Sequence, residues 1–174
     1  MVAGQPDAVF IEVPVVWGMP GVWVGQRTLP PKAWIALGEA NGTLRLEAVA
    51  SNRRSAHPDN RGNLPPAMEI MAGPAHLISP APLPRLAAAL IAAGFPATIS
   101  DNAGGYLCNE LFYHLIMRNS ATWLNQTLVM FLHVPPLGTP VAGAAAHVAA
   151  KAMNAAYFSR LGSVLLDAVR AEIQ

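Results

Sequence analysis

The sequence predicts one α/β domain over residues 1–174, a mainly parallel sheet sandwiched by helices. Two observations carry that expectation. Four short segments are apolar, rich in branched residues and bounded by Gly, Pro or Asn, the mark of buried strands. The stretches between them show helical spacing, so strand and helix alternate as they do where crossover helices join parallel strands. Length agrees, since 174 residues can bury one sizeable core and fall short of two ordinary domains.

In chain order, strands are predicted at Ala8 to Val13 and Ala33 to Leu37. The run TLRLEAVA from Thr43 alternates more and is expected to pair at a sheet edge or to cross the site. Arg53 to Pro82 is dense in proline and glycine with little periodicity, so it reads as long surface loops, which are commonly functional. PLPRLAAALIAAG has prolines at its start and Gly94 where a C-terminal cap stands, predicting a helix from about Leu83 to Ala93. A third strand follows at Ala97 to Ser100. YLCNELFYHLIMRN then aligns Leu107, Leu111, Phe112, Leu115 and Ile116 on one helical face. The fourth strand is Leu128 to Val134. A last helix repeats the spacing through Leu161, Leu165, Val169 and Ile173, with Gly162 as its weak point.

Composition removes several function classes. Apolar residues make up 53% and charged residues 12%, an excess of apolar character that a buried sheet or an oligomer interface would absorb. Net charge is +1 and no basic run exceeds Arg53-Arg54, so no footprint for nucleic acid or an anionic membrane is present. A single cysteine rules out an internal disulfide framework and fits a reducing compartment. The longest apolar run, Leu86 to Ala93, is far shorter than the roughly 20 residues of a membrane span. MVAGQPDAVF also lacks the regions of a signal peptide, so a soluble cytoplasmic protein is expected.

The one cysteine, Cys108, follows Gly104 and Gly105 at or near the start of a helix capped by Asp101, Asn102 or a later residue. Unpaired amides at a helix start favour a thiolate and an oxyanion beside it, and the glycines permit close approach of a substrate backbone. A nucleophilic thiol needs a base, and the candidates are His57, His76, His114, His133 and His147. His133 closes LVMFLH at the carboxyl end of a buried strand, where open α/β sheets place their sites. His114 lies six residues beyond Cys108 and so points to another side of the helix. Glu47 interrupts an apolar run and would be half buried, hence paired; it either orients an imidazole or faces solvent at an edge. Spacing alone allows a Cys108–His133–Glu47 triad, but it equally allows a buried inert thiol and a structural histidine.

Several stretches together resemble pyroglutamyl peptidase I, also called pyrrolidone carboxyl peptidase, a family of cysteine peptidases. SDNAGGYLCN, from Ser100 to Asn109, is similar to the family's nucleophile motif, and FLHVP, from Phe131 to Pro135, to its histidine motif. EAVASN, from Glu47 to Asn52, resembles the family's ERVAxN. PDNRGNLP (Pro58 to Pro65) and GPAHLISPAPLP from Gly73 match the loop motifs between, while VPVVWG and WIALGEANG resemble strand ends upstream. The matches run in family order from about Ala8 to Pro135.

The resemblance implies removal of an N-terminal pyroglutamyl residue from small peptides, without metal or organic cofactor, by one pyroglutamyl-peptidase-like domain over residues 1–174. It implies Cys108 as nucleophile, His133 as base and Glu47 as the third member, with substrate contacts from Glu39, Gly105 and Leu107. A three-layer α/β/α sandwich and a homo-oligomer are further implications. There are also departures. No residue matches the family's opening strand and its phenylalanine-bearing glycine turn, so a pocket short of one wall and low activity on pyroglutamyl amides are expected. RRSAHPDN is one residue short and offers His57 or Arg54 where the family has an arginine, and HLI, from His76 to Ile78, replaces an aromatic pair. Two other functions share these residues: an amidase for another small lactam or acyl group, and a non-catalytic family member serving as an assembly or binding subunit.

Overall fold

A computed structural model describes residues 8–139 and 154–173. Its elements are α1 (Met19–Gly25), β1 (Ala33–Glu39), β2 (Leu44–Glu47), β3 (Val49–Ser51), β4 (His76–Ile78), α2 (Leu83–Ala92), β5 (Ala97–Ser100), α3 (Leu107–Ala121), β6 (Leu128–Val134) and α4 (Ala155–Glu172). Four strands form one sheet in the order β1-β6-β2-β5, and β3 pairs with β4 in a separate ribbon. β1 runs parallel to β6, with Gly38 opposite His133, and β2 runs parallel to β5. The two pairs meet at an antiparallel step that sets Arg45 opposite His133. The expected α/β architecture is therefore present, its sheet mainly parallel and mixed at that step.

The layering follows from β6, in which every residue from Val129 to His133 is buried. Such a strand must be covered on both faces. Alternation sends Met130 and Leu132 into a core with Leu86 and Leu90 of α2 and Leu161 and Leu165 of α4. Val129 and Phe131 enter the opposite core with Val24 of α1 and Phe112, Leu115 and Ile116 of α3. α2 begins on Pro82 and Pro84 and ends before Gly94, whose φ of 85° suits a residue without a Cβ. α4 buries Leu161, Leu165 and Val169, the stripe its spacing predicts.

Three expectations need correction, and one helix was not expected. Ala8 to Val13 is not a strand: Val9 is 85% exposed, and among the described residues no strand pairs with this stretch. Branched residues favour a pleated surface only where a neighbour can take up their amides and carbonyls. TLRLEAVA divides at Ala48, whose amide donates to the Ser100 carbonyl, and of its two expected places the first half takes the one across the site, bringing Glu47 to His133, and not the one at the sheet edge. β2 lies inside the sheet between β6 and β5, while β3 turns away to β4. The segment from Arg53 to Pro82 is mostly loop, yet His76–Ile78 forms β4, and Arg54, Asp59 and Ile70 within it are buried. Finally, MPGVWVG is the helix α1, whose glycines and proline hide any helical period; Pro20 sits in its first turn, where a missing amide costs nothing.

Leu90 is fully out of water in the α2–α4 core. Leu90→Ala is expected to destabilise the fold by about 2–5 kcal/mol, read as a lower urea midpoint with an unchanged slope.

Candidate active site

The alternation that sends Leu44 and Leu46 toward α2 and α4 turns Arg45 and Glu47 to the sheet face on which α3 lies. The Glu47 carboxylate is fully buried there. His133, from the neighbouring strand β6, donates its Nδ1 proton to Glu47 Oε1 at 2.7 Å. Arg45 Nε stands 3.5 Å from the same oxygen, while Arg45 Nη1 donates to the Asn41 carbonyl. Glu47 Oε2 is buried without a hydrogen-bond partner. With Nδ1 engaged, Nε2 is the ring nitrogen left for Cys108, whose sulfur lies near enough to act on the charge of the imidazole. Burial alone would lower the His133 pKa, but hydrogen bonds to Cys108 and Glu47, and their charges, outweigh it and push it up to about 9. The ring is therefore an imidazolium at neutral pH.

Cys108 is the second residue of α3, in the first turn. Tyr106 is the N-cap and supplies no side-chain hydrogen bond, so the helix starts later than an Asp101 or Asn102 cap would place it. Asn102 instead stabilises its own loop, its Oδ1 accepting from the Gly104 amide at 2.9 Å. The uncapped amides of the first turn are of the kind that stabilise negative charge on a sulfur or an oxyanion. Room for the sulfur comes from Gly38, across the sheet register from His133. A Cβ on Gly38 would lie 2.7 Å from Cys108 Sγ and 2.9 Å from the Phe131 ring. Sequence reasoning passed over Gly38; its signal was a glycine inside a strand, which often marks a close approach.

The residues after Cys108 fix this turn. Asn109 is fully buried, accepts from the Ser51 amide and donates to the carbonyls of Ser51 and Arg53. Glu110, equally buried, receives Arg54 Nε and Nη2 on its two oxygens at 3.1 and 3.0 Å. Trp17 packs edge-on against Tyr106 at 5.3 Å and is tied by its own amide to Asp59. Polar residues on a helix read as solvent-facing in sequence, and only the loop folded over α3 makes Asn109 and Glu110 interior.

The other residues singled out from the sequence fall as follows. Gly105 accepts from the Ser55 amide at 2.6 Å, and Leu107 is buried at the start of α3. Glu39 is exposed at the end of β1 and, by alternation, lies on the sheet face opposite Gly38 and the thiol. His57 and His76 are exposed, and His147 lies outside the described residues. His114 points to α1, where its ring fills the space beside Gly21. Burial holds its pKa below the usual value, helped by Arg54 and opposed by Glu110. Of the two candidates for the family arginine, His57 is in solvent and Arg54 is paired with Glu110. A groove of about 770 Å³ is lined by Asn52, Arg53, Glu69, His76 and Asp101 and contains none of Cys108, His133 and Glu47. Geometry and charge, rather than concavity, mark the site. Among the described residues no group of His, Cys, Asp or Glu is arranged to hold a metal ion, and no helix is long and apolar enough to cross a membrane.

A sequence model of the pyroglutamyl peptidase family matches residues 25–162. A pyrrolidone-carboxylate peptidase of Gloeobacter violaceus is 39% identical over 112 residues, covering 62% of this chain and 53% of that protein. One from Escherichia fergusonii is 36% identical over 131 residues, covering 73% and 59%. The chain thus spans little more than half the length of these relatives. The crystal structure of pyroglutamyl peptidase I from Bacillus amyloliquefaciens superposes with a TM-score of 0.77 at 25% identity, over 94% of this chain and 80% of that one.

Two outcomes are expected from this geometry. Gly38→Ala should displace the thiol or the Phe131 ring, slowing alkylation of Cys108 and destabilising the fold by about 1–3 kcal/mol, read by iodoacetamide labelling and urea unfolding. Since the folded His133 value is raised above the ordinary 6.5, its contribution to stability is complete below pH 6.5 and lost as pH rises through about 9. Melting temperature measured from pH 6 to 10 should fall over that window, and His133→Gln should flatten the fall.

Proposed function

The chain belongs to the pyroglutamyl peptidase family, and on that premise we propose that it is a cysteine peptidase releasing N-terminal pyroglutamyl residues from small peptides. Cys108 is the nucleophile, His133 the acid and base, and Glu47 the residue that orients and charges the imidazole. The observation that carries this reading is the continuous line from a fully buried carboxylate, through a 2.7 Å hydrogen bond, to the imidazole beside Cys108.

The sulfur of Cys108 attacks the carbonyl carbon that follows the lactam ring, and the carbonyl oxygen takes up negative charge beside the amides of the first turn of α3. Collapse breaks the C–N bond, and the amine departs with a proton from His133 Nε2. A water molecule, deprotonated by the now neutral imidazole, attacks the thioester and returns the thiol. Throughout, the hydrogen bond from Nδ1 to Glu47 holds the tautomer that keeps Nε2 at the sulfur. Gly105 and Leu107 flank the nucleophile and are the substrate contacts that this geometry supports; the position of Glu39 on the other face gives it no such support. In this reading residues 1–174 form one pyroglutamyl-peptidase-like domain. Exposed Leu37 and Ile99 on the two edge strands favour a homo-oligomer. A lone cysteine outside any disulfide favours the cytoplasm.

The test is hydrolysis of a pyroglutamyl chromogenic amide beside a panel of other aminoacyl and lactam amides. Cys108→Ser is expected to abolish turnover, and Glu47→Gln to lower kcat on the order of a hundredfold or more while the fold remains intact by circular dichroism. Turnover should decline with an alkaline limb near pH 9, as the imidazolium that protonates the leaving amine is lost. A well-folded Glu47→Gln enzyme with full turnover would remove Glu47 from the mechanism, and preference for a different ring would replace the substrate.

A further inference from the structure

Outside the Cys108–His133–Glu47 line, one buried charged cluster is left unexplained. Glu110 lies in the first turn of α3, two residues after Cys108, with no exposure to water. Its buried carboxylate adds negative charge to the same helix turn as a sulfur that is to become negative, and burial deprives that charge of the screening that would mute the opposition. Arg54 answers this charge. Its guanidinium binds both Glu110 oxygens, and its remaining N–H groups donate to the carbonyls of Ala67, Glu69 and Ile70. The Arg54 amide also donates to the Met68 carbonyl, while Glu110 Oε1 accepts from the Gly18 amide at the start of α1. The pair therefore ties three segments to the turn that carries the thiol.

We infer that Arg54 and Glu110 are positioning residues for Cys108, the arginine cancelling the glutamate's charge so that the first turn of α3 can carry a negative sulfur. This rests on the proposed role of Cys108. The charged and titratable groups around the turn are few. β6 contributes His133, and β2 contributes Glu47 and Arg45 behind it. The α3 segment itself contributes Tyr106, Glu110 and His114, the last 3.9 Å from Glu110. The loop over it contributes Arg54, with Asp59 beyond Tyr106. β1 presents Gly38 to the sulfur, and no charge. Arg54 is the only cation among the described residues that touches Glu110 directly, His114 being neutral when its pKa is held low.

A purely structural pair and a charge-balancing pair respond differently to removal of each partner. Loss of packing slows Cys108 whichever partner is changed. Charge balance makes the two changes act in opposite directions. The experiment is the rate of Cys108 alkylation by iodoacetamide as a function of pH in the wild-type chain, Arg54→Met, Glu110→Gln and the double variant, with kcat and KM on a pyroglutamyl amide alongside. Arg54→Met should shift the pH midpoint of alkylation upward and slow labelling at neutral pH by on the order of tenfold. Glu110→Gln, which keeps the shape and leaves the cation, should shift the midpoint downward. The double variant should return close to wild type, and kcat should fall in Arg54→Met with KM little changed. Midpoints that stay fixed, or that move the same way in both single variants, overturn the inference. If Arg54→Met fails to fold, the direction of the Glu110→Gln shift decides alone. A wild-type thiol that labels no faster than free cysteine, and no differently in His133→Ala, would instead overturn the role of Cys108 itself.

Discussion

A carboxylate with no exposure to water is the constraint on which the site rests. Ionised Glu47 cannot stay inside a sheet unless cations and donors surround it, and the register of two strands brings them: His133 from β6 and Arg45 from its own strand. The antiparallel step in the middle of the sheet is what lets β2 lie beside the end of β6. Once the imidazole is held by Glu47 it carries charge, and a charged imidazole is the partner a thiol needs to become a nucleophile. Gly38 completes the arrangement by leaving space at the same register level.

Around that line, side chains do for the long loop what hydrogen-bonded ladders do for the sheet. Asn52 accepts from the amides of Ile70 and Met71 and donates to the Met71 carbonyl. Asp59 gathers the amides of Trp17, Arg61 and Asn63, and Asn109 clasps Ser51 and Arg53. Each satisfies backbone groups that an irregular segment leaves open. The loop is consequently a hydrogen-bonded cover on α3 in spite of its many prolines and glycines.

Much of this was legible in the chain. The periodic helices α2 and α4 and the apolar strands β1, β5 and β6 stand where their patterns place them, because each buries a face that local spacing alone specifies. The grouping of Cys108, His133 and Glu47 was visible as motifs, although spacing could not separate it from an inert thiol; only the fold brings the three together. What was illegible depended on distant partners. Ala8 to Val13 has strand composition but, among the described residues, no neighbour to pair with, and TLRLEAVA reads as one strand because nothing local marks the change of sheet at Ala48. Glu110 and Arg54 each look like surface charges until the loop closes over them. Glu39 enters only through the family resemblance, and motif matching does not reveal on which face of β1 its side chain emerges.

The thiol beside His133 is the one cysteine in these 174 residues. In the proposed mechanism the activation that prepares this sulfur for a carbonyl also prepares it for peroxide, because a thiolate is oxidised before a thiol. Where a neighbouring thiol exists, a sulfenic acid is captured as a disulfide and kept reversible. These 174 residues hold no second cysteine, so recovery of an oxidised Cys108 draws on a thiol other than their own.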